Sequence, residues 1–369
     1  DAYNTAVGYN AGVAMTTGTK NIIVGANAGY ALTSGDYNVA LGHGTLSAET
    51  TTGRTVAVGY LALSSQRSDS HTYNVAMGYE TGKSVTTGVR NTIMGGFAGD
   101  ALTTGNYNVV LGYGALSAED THSANVAIGY GALMALNAGA DGFNTAVGYL
   151  AGNVMTTGIS NVIVGARAGT ALTTGAANVI IGETTGSGLT IGNYNTALGY
   201  GALSTSVDGD YNTAIGHKAL QDYEDGDGNG HNTAVGNSSQ LNATTGEFNT
   251  SVGSLSFGSG VLTGDANVAF GYDAGNTLTS GGSNVLLGTS AGNSLTTGSN
   301  NIAIGHAALH TEDTHGKNVA IGQEALSLQD AGADAYNVAV GYYAGKVIST
   351  GVNNTIIGGG AGNAVTTST

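Results

Sequence analysis

The chain has 369 residues, of which 64 are Gly, none is Pro and none is Cys, and its net charge is -15. Gly at this level without Pro or a three-residue period excludes collagen, an apolar share of 41% excludes a disordered chain, and the missing Cys excludes a disulfide framework and thiolate chemistry. The negative charge argues against nucleic acid or an anionic membrane as partner, because both attract basic faces.

The first element is the pentad Asn4-Thr5-Ala6-Val7-Gly8. It returns as Asn21-Ile22-Ile23-Val24-Gly25 and, in all, 21 times down to Asn354-Thr355-Ile356-Ile357-Gly358, mostly 17 residues apart and at most 20. Thr55 is the one departure from Asn at the first position. Self-similarity at this period is the mark of a solenoid, so residues 1–369 are expected to form one all-β domain, a parallel β-roll or β-solenoid of about 21 coils of 17–20 residues. A larger repeat of four coils overlies it. Two coils carry Ala11-Gly12 and Ala28-Gly29 after the pentad, and the next two carry Leu46 and Leu63 instead. The scheme restarts at Asn74 and Asn144, 70 residues apart, and is irregular at about 178–266. No signal peptide or membrane span stands out, and a chain that begins in mid-repeat reads as a segment of something longer.

Each pentad reads as a short strand. The second position is Thr, Val or Ile and the fourth is large and apolar, which assigns both to the core face by alternation. The third position then falls on the opposite face and is apolar in every copy but Ser251. Strands apolar on both faces are buried on both, so the third residues are expected to form an oligomer interface: Ala6, Ile23, Ala40, Ala57, Ala76, Ile93, Val110, Ala127, Ala146, Ile163, Ile180 and Ala197. The expected assembly is a homotrimer packed along its length.

The pentad Gly suits positive φ at a corner. A second turn follows at Thr16-Thr17-Gly18 or Thr33-Ser34-Gly35, and the apolar residue before it (Met15, Leu32, Leu102, Met155) is expected to fill the core from the other wall. Stacked Asn side chains are expected to hydrogen-bond from coil to coil. Four insertions, spanning residues 64–72, 134–142, 221–231 and 326–335, fall in Leu coils, as insertions that map to one edge do. At about 4.8 Å per coil the rod would be on the order of 100 Å long.

Asn4-Thr5-Ala6-Val7-Gly8-Tyr9 followed by Thr16-Thr17-Gly18 resembles the repeats of phage tail-fibre-like proteins, and the pentad alone is similar to the head repeat of trimeric autotransporter adhesins. The resemblance covers residues 3 to about 367. It implies a trimeric β-roll with its strands towards the axis, on a virion or a cell surface, displaying loops or a tip to a glycan or protein receptor. A bacterial surface adhesin or extracellular filament is the alternative reading, and a glycan-degrading fibre the second.

Few residues suggest chemistry. Asp225, Asp227 and Asn229 match the opening of a calcium loop, yet the closing Glu is replaced by Gly236, and a solvated acidic turn is the competing reading. No other cofactor is expected. Tyr residues flanking the pentads, such as Tyr3 and Tyr9 or Tyr107 and Tyr113, can stack on sugars but read as caps on the core. His43, His217 and His306 occupy the same place as the second Tyr, where three symmetry copies can bind an ion on a trimer axis, and a core-face or surface position is the competing reading. A flat Thr array of the ice-binding kind is broken in the Leu coils. Glu119, Asp120, Glu312 and Asp313 read as solvated loop charges. No nucleophile elbow, zinc helix or phosphate loop is present, and no enzyme activity is expected.

Overall fold

The computed structural model describes residues 2–224 and 230–367. It is a parallel β-solenoid, with 21 three-residue strands and no helix among the described residues. The chain divides into two compact units, Asp1–Glu183 and Thr184–Thr369. The first holds β1 (Thr5–Val7) through β11 (Val179–Ile181) and the second β12 (Thr196–Leu198) through β21 (Thr355–Ile357). Within each unit every strand pairs in parallel with the next, so equivalent residues stack. Ala40 lies against Ala57 in the first unit and Ala214 against Ala234 in the second. Parallel neighbours need a crossover, and here the rest of the coil supplies it. These crossover walls are themselves bonded coil to coil, as in Gly29 N–H to Thr45 O at 2.9 Å and Thr33 N–H to Thr50 O at 2.7 Å.

The strands present their third residue inward, which corrects the expected assignment of faces. Of the twelve residues proposed for an oligomer interface, Ile23, Ala40, Ala57, Ala76, Ile93, Val110, Ala127, Ala146, Ile163, Ile180 and Ala197 are fully buried inside the single chain, and Ala6 in the terminal coil is exposed. The second and fourth residues face outward instead. The physical reason is the Asn. First, third and fifth positions share a face, and the first-position Asn has to be inside to meet backbone groups. The Asn91 side-chain N–H donates to Gly105 O at 2.8 Å, and its Oδ1 accepts the Asn108 backbone N–H at 2.9 Å. This ladder runs through both units as expected, with Asn301 N–H to Asn284 Oδ1 at 2.9 Å as one rung of the second. At Thr55 the ladder changes partners. Thr55 Oγ1 pairs with Thr72 Oγ1 at 2.5 Å, and Gln66 takes the Asn74 side-chain N–H at 2.9 Å. Ser251, the one polar third residue, is buried against Ser239 Oγ at 2.5 Å and the Gln240 amide at 3.0 Å.

The narrow interior is filled in two ways. In one coil type Gly29 takes a left-handed φ of 53° and Leu32 enters from the turn, as expected of that residue. In the other, Leu46 adopts the same φ of 52° and fills the core itself. A left-handed Leu costs about 1–2 kcal/mol, and full burial of its side chain contributes about 1.5–3 kcal/mol, so the exchange is close to neutral or favourable.

Candidate functional site

With the third residues inside, positions of the other parity line the outer face of each sheet. These are the second and fourth strand residues, the residue before the Asn and the residue after the Gly. The flanking Tyr residues are therefore exposed rather than caps on the core. After the pentad Gly, rings in the first unit form one row: His43, Tyr60, Tyr79, Phe97, Tyr113, Tyr130 and Tyr149, with neighbouring centroids 5.1–5.7 Å apart. Gly96 holds the row's place in one coil, and Phe97 beside it fills the gap with its ring edge-on to Tyr79 and Tyr113. Such contacts are worth about 0.5–1.5 kcal/mol per pair beyond burial.

Before the Asn, cations alternate with rings. Lys20 Nζ sits 4.8 Å from the Tyr37 ring, the Arg54 guanidinium lies between Tyr37 and Tyr73, and Arg90 covers Tyr107 at 5.3 Å. The Tyr37 hydroxyl, 2.9 Å from Lys20 Nζ, holds that ammonium above its usual range. In the second unit Tyr194, Tyr211, His231 and Phe248 stack at 4.7–5.3 Å. His43 and His217 stack on Tyr60 and Tyr200, and His306 is exposed. Beside the first row lies an open groove of about 520 Å³, lined by Asn10, Asn27, Tyr30, His43, Ser47 and Leu61 among others.

The insertions leave the coil at one corner within each unit, as expected. The amides of Arg67 and Asn137 donate to Thr86 O and Thr156 O, both at 2.8 Å, in the first unit. Those of Glu224 and Asp330 make the equivalent bonds to Thr244 O and Ser349 O in the second. Asp225, Asp227 and Asn229 lie outside the described residues.

Glu119 and Glu312 are not solvated: both are fully buried, as is Glu49. Each stands one coil after a core Leu (Leu32, Leu102 and Leu295) and in the same column. Backbone bonds fix that register, for Thr103 N–H reaches Asp120 O at 2.5 Å and Thr296 N–H reaches Asp313 O at 2.6 Å. Burial pushes the Glu312 carboxyl above its ordinary range, and the His315 backbone N–H and ring partly oppose the shift. Glu-Asp-Thr-His occurs twice, at 119–122 and 312–315, and that recurrence was the signal in the sequence for these residues.

Among the described residues the outer face exposes Tyr and Phe rings with Val, Ile, Leu and Met side chains of the strands. A scan against protein-family models finds no match, and a search of the curated proteins finds none either.

Proposed function

We propose that this chain is a non-catalytic structural segment of a fibre or adhesin, tail-fibre-like, that assembles as a homotrimer through the outward faces of its sheets and carries receptor-binding loops or a tip on a virion or bacterial cell surface. The observation that carries the reading is the width of the exposed apolar face. In the first unit these two columns, with Tyr3, Tyr9 and Phe143 included and the half-buried Phe97 left out, expose eleven Tyr and Phe rings at 42–75%. At about 100 Å² apiece they present ~1,000 Å², and the Val, Ile, Leu and Met of the strands lie between them. Soluble monomers rarely expose a patch beyond ~300–600 Å², and a specific interface takes about 800 Å² per partner. A second copy fits this surface because its rows repeat at the same coil spacing. Coil-to-coil bonding on every wall gives a segment of this kind its stiffness, and the insertions, gathered at one corner of the coil, supply the loops for a glycan or protein receptor.

Native mass spectrometry tests the assembly. The expected mass is about 109 kDa, three times the 36.3 kDa chain. Val126→Glu with Ile128→Glu on the outer face should give a folded monomer, whereas Ala127→Glu between them should unfold its coil. A wild-type chain that stays monomeric at tens of micromolar refutes the reading.

A further inference from the structure

The buried glutamates occupy three versions of one corner, and the versions differ in what meets the second carboxylate oxygen. At Glu49, Oε2 accepts the Gln66 side-chain N–H at 3.2 Å. At Glu119, Oε2 accepts the Ala138 backbone N–H at 3.3 Å, while Oε1 takes the amides of Asp120 and His122, both at 3.1 Å. At Glu312, Oε1 accepts the His315 amide at 3.1 Å, but Oε2 is buried with no hydrogen-bond partner. A buried oxygen left bare is costly, more so for a charged group.

The adjoining coil also differs. The position held by Arg67 in the first version and Asn137 in the second is Asp330 in the third, and all three make the same backbone bond to the following coil. Where one version has a cation, the third therefore adds an anion. Glu312, Asp313, His315 and Asp330 each place one ligand atom so that all four lie within 4.8 Å of one another. Three carboxylates brought this close, one of them buried with an oxygen left bare, repel one another unless positive charge enters.

We propose that Glu312, Asp313, His315 and Asp330 bind one divalent cation of the Mn²⁺ or Zn²⁺ class. Three carboxylate oxygens with one imidazole nitrogen suit these ions, because imidazole favours transition metals and zinc over Ca²⁺ or Mg²⁺. Glu312 supplies the ligand from the core, Asp313 and His315 are half-buried, and the exposed Asp330 closes the site from the solvent side and leaves an entry path. The ion would tie the coil of Glu312 to the coil of Asp330 beside an insertion, stiffening that corner. The site at Glu119 has His122 and Asp120 but no counterpart of Asp330, and backbone N–H groups already satisfy both of its oxygens, so it takes no ion.

The test is calorimetric titration of the chelator-treated full chain with MnCl₂, ZnCl₂ and CaCl₂, with the free-Mn²⁺ electron paramagnetic resonance signal as a second readout. The expected result is one Mn²⁺ or Zn²⁺ site per chain, weakened about tenfold or more by Asp330→Ala and by His315→Gln, in the range seen when a metal ligand or its support is lost. Both substitutions are outside the core, and circular dichroism checks that each variant folds. Asp120→Ala should leave the affinity unchanged. No binding up to millimolar metal, binding indifferent to both substitutions, or binding of Ca²⁺ alone that Asp225→Asn and Asp227→Asn abolish would each overturn the proposal.

Discussion

Removing one rung of the Asn ladder measures how much the interior depends on it. Asn91 is fully buried, gives its side-chain N–H to Gly105 O and takes the Asn108 amide on its Oδ1. Asn91→Ala orphans a carbonyl and an N–H in a dry interior. At about 1–3 kcal/mol for each unsatisfied group, the coil should lose roughly 4 kcal/mol. Because each coil touches only its neighbours, the loss stays local, and a single unfolding free energy for a long array is ill-defined. Hydrogen exchange read by mass spectrometry on separate peptides is therefore the assay. About 4 kcal/mol is near a thousandfold in local opening. Protection in the coils starting at Asn74, Asn91 and Asn108 should fall by about that factor, with little change beyond Asn161. A fall of less than tenfold, or an equal fall along the whole unit, refutes the argument that the ladder carries coil-to-coil stability.

Three further outcomes follow from the same geometry. Gly95 has φ +126°, and an added Cβ would stand 2.6 Å from Gly112 O, whereas at Gly114 (φ +62°) nothing lies within 4 Å. Gly95→Ala should disrupt the stack by several kcal/mol and Gly114→Ala should cost about 1 kcal/mol, as compared by thermal melting. Leu46→Gly relieves a left-handed side chain but empties the core, and should destabilise its coil by about 2–4 kcal/mol in local exchange. The Asp36 carboxyl is held below its ordinary range by the Thr19 backbone N–H at 2.6 Å and the Thr19 hydroxyl at 2.9 Å. A depressed folded-state pKa gives stability that is present above the ordinary carboxylate range and is lost as pH falls through the lower folded value. Exchange at Thr19 should therefore rise on acidification below about pH 4, and Asp36→Asn should remove that acid step; an unchanged step assigns it to another group.

The repeat itself settled much of this protein. The recurring Asn and Gly placed every strand, the Thr-Thr-Gly turns placed the second wall with Leu32 and Leu102 inside it, and the long Leu coils placed the insertions. Each of these follows from local backbone demands that a residue type declares by itself. Which face of the strand looks inward was decided only in three dimensions. Val56-Ala57-Val58 is apolar on both sides, so alternation cannot choose between them. The choice falls to Asn91 and its equivalents, whose partners are backbone groups 14 and 17 residues away. Parity with the Asn was present in the sequence and pointed to the third residues, but the greater bulk of Val and Leu pointed the other way. The interior takes Ala57 in one coil and Ile93 in another, so residue size alone does not name the inner face. The burial of Glu119 and Glu312 was hidden for a related reason: a short polar string reads as loop, and only stacking on Leu102 and Leu295 in the previous coil shows that it lies in the core. Burial in a solenoid belongs to the column, and a column is assembled from residues the chain keeps a full coil apart.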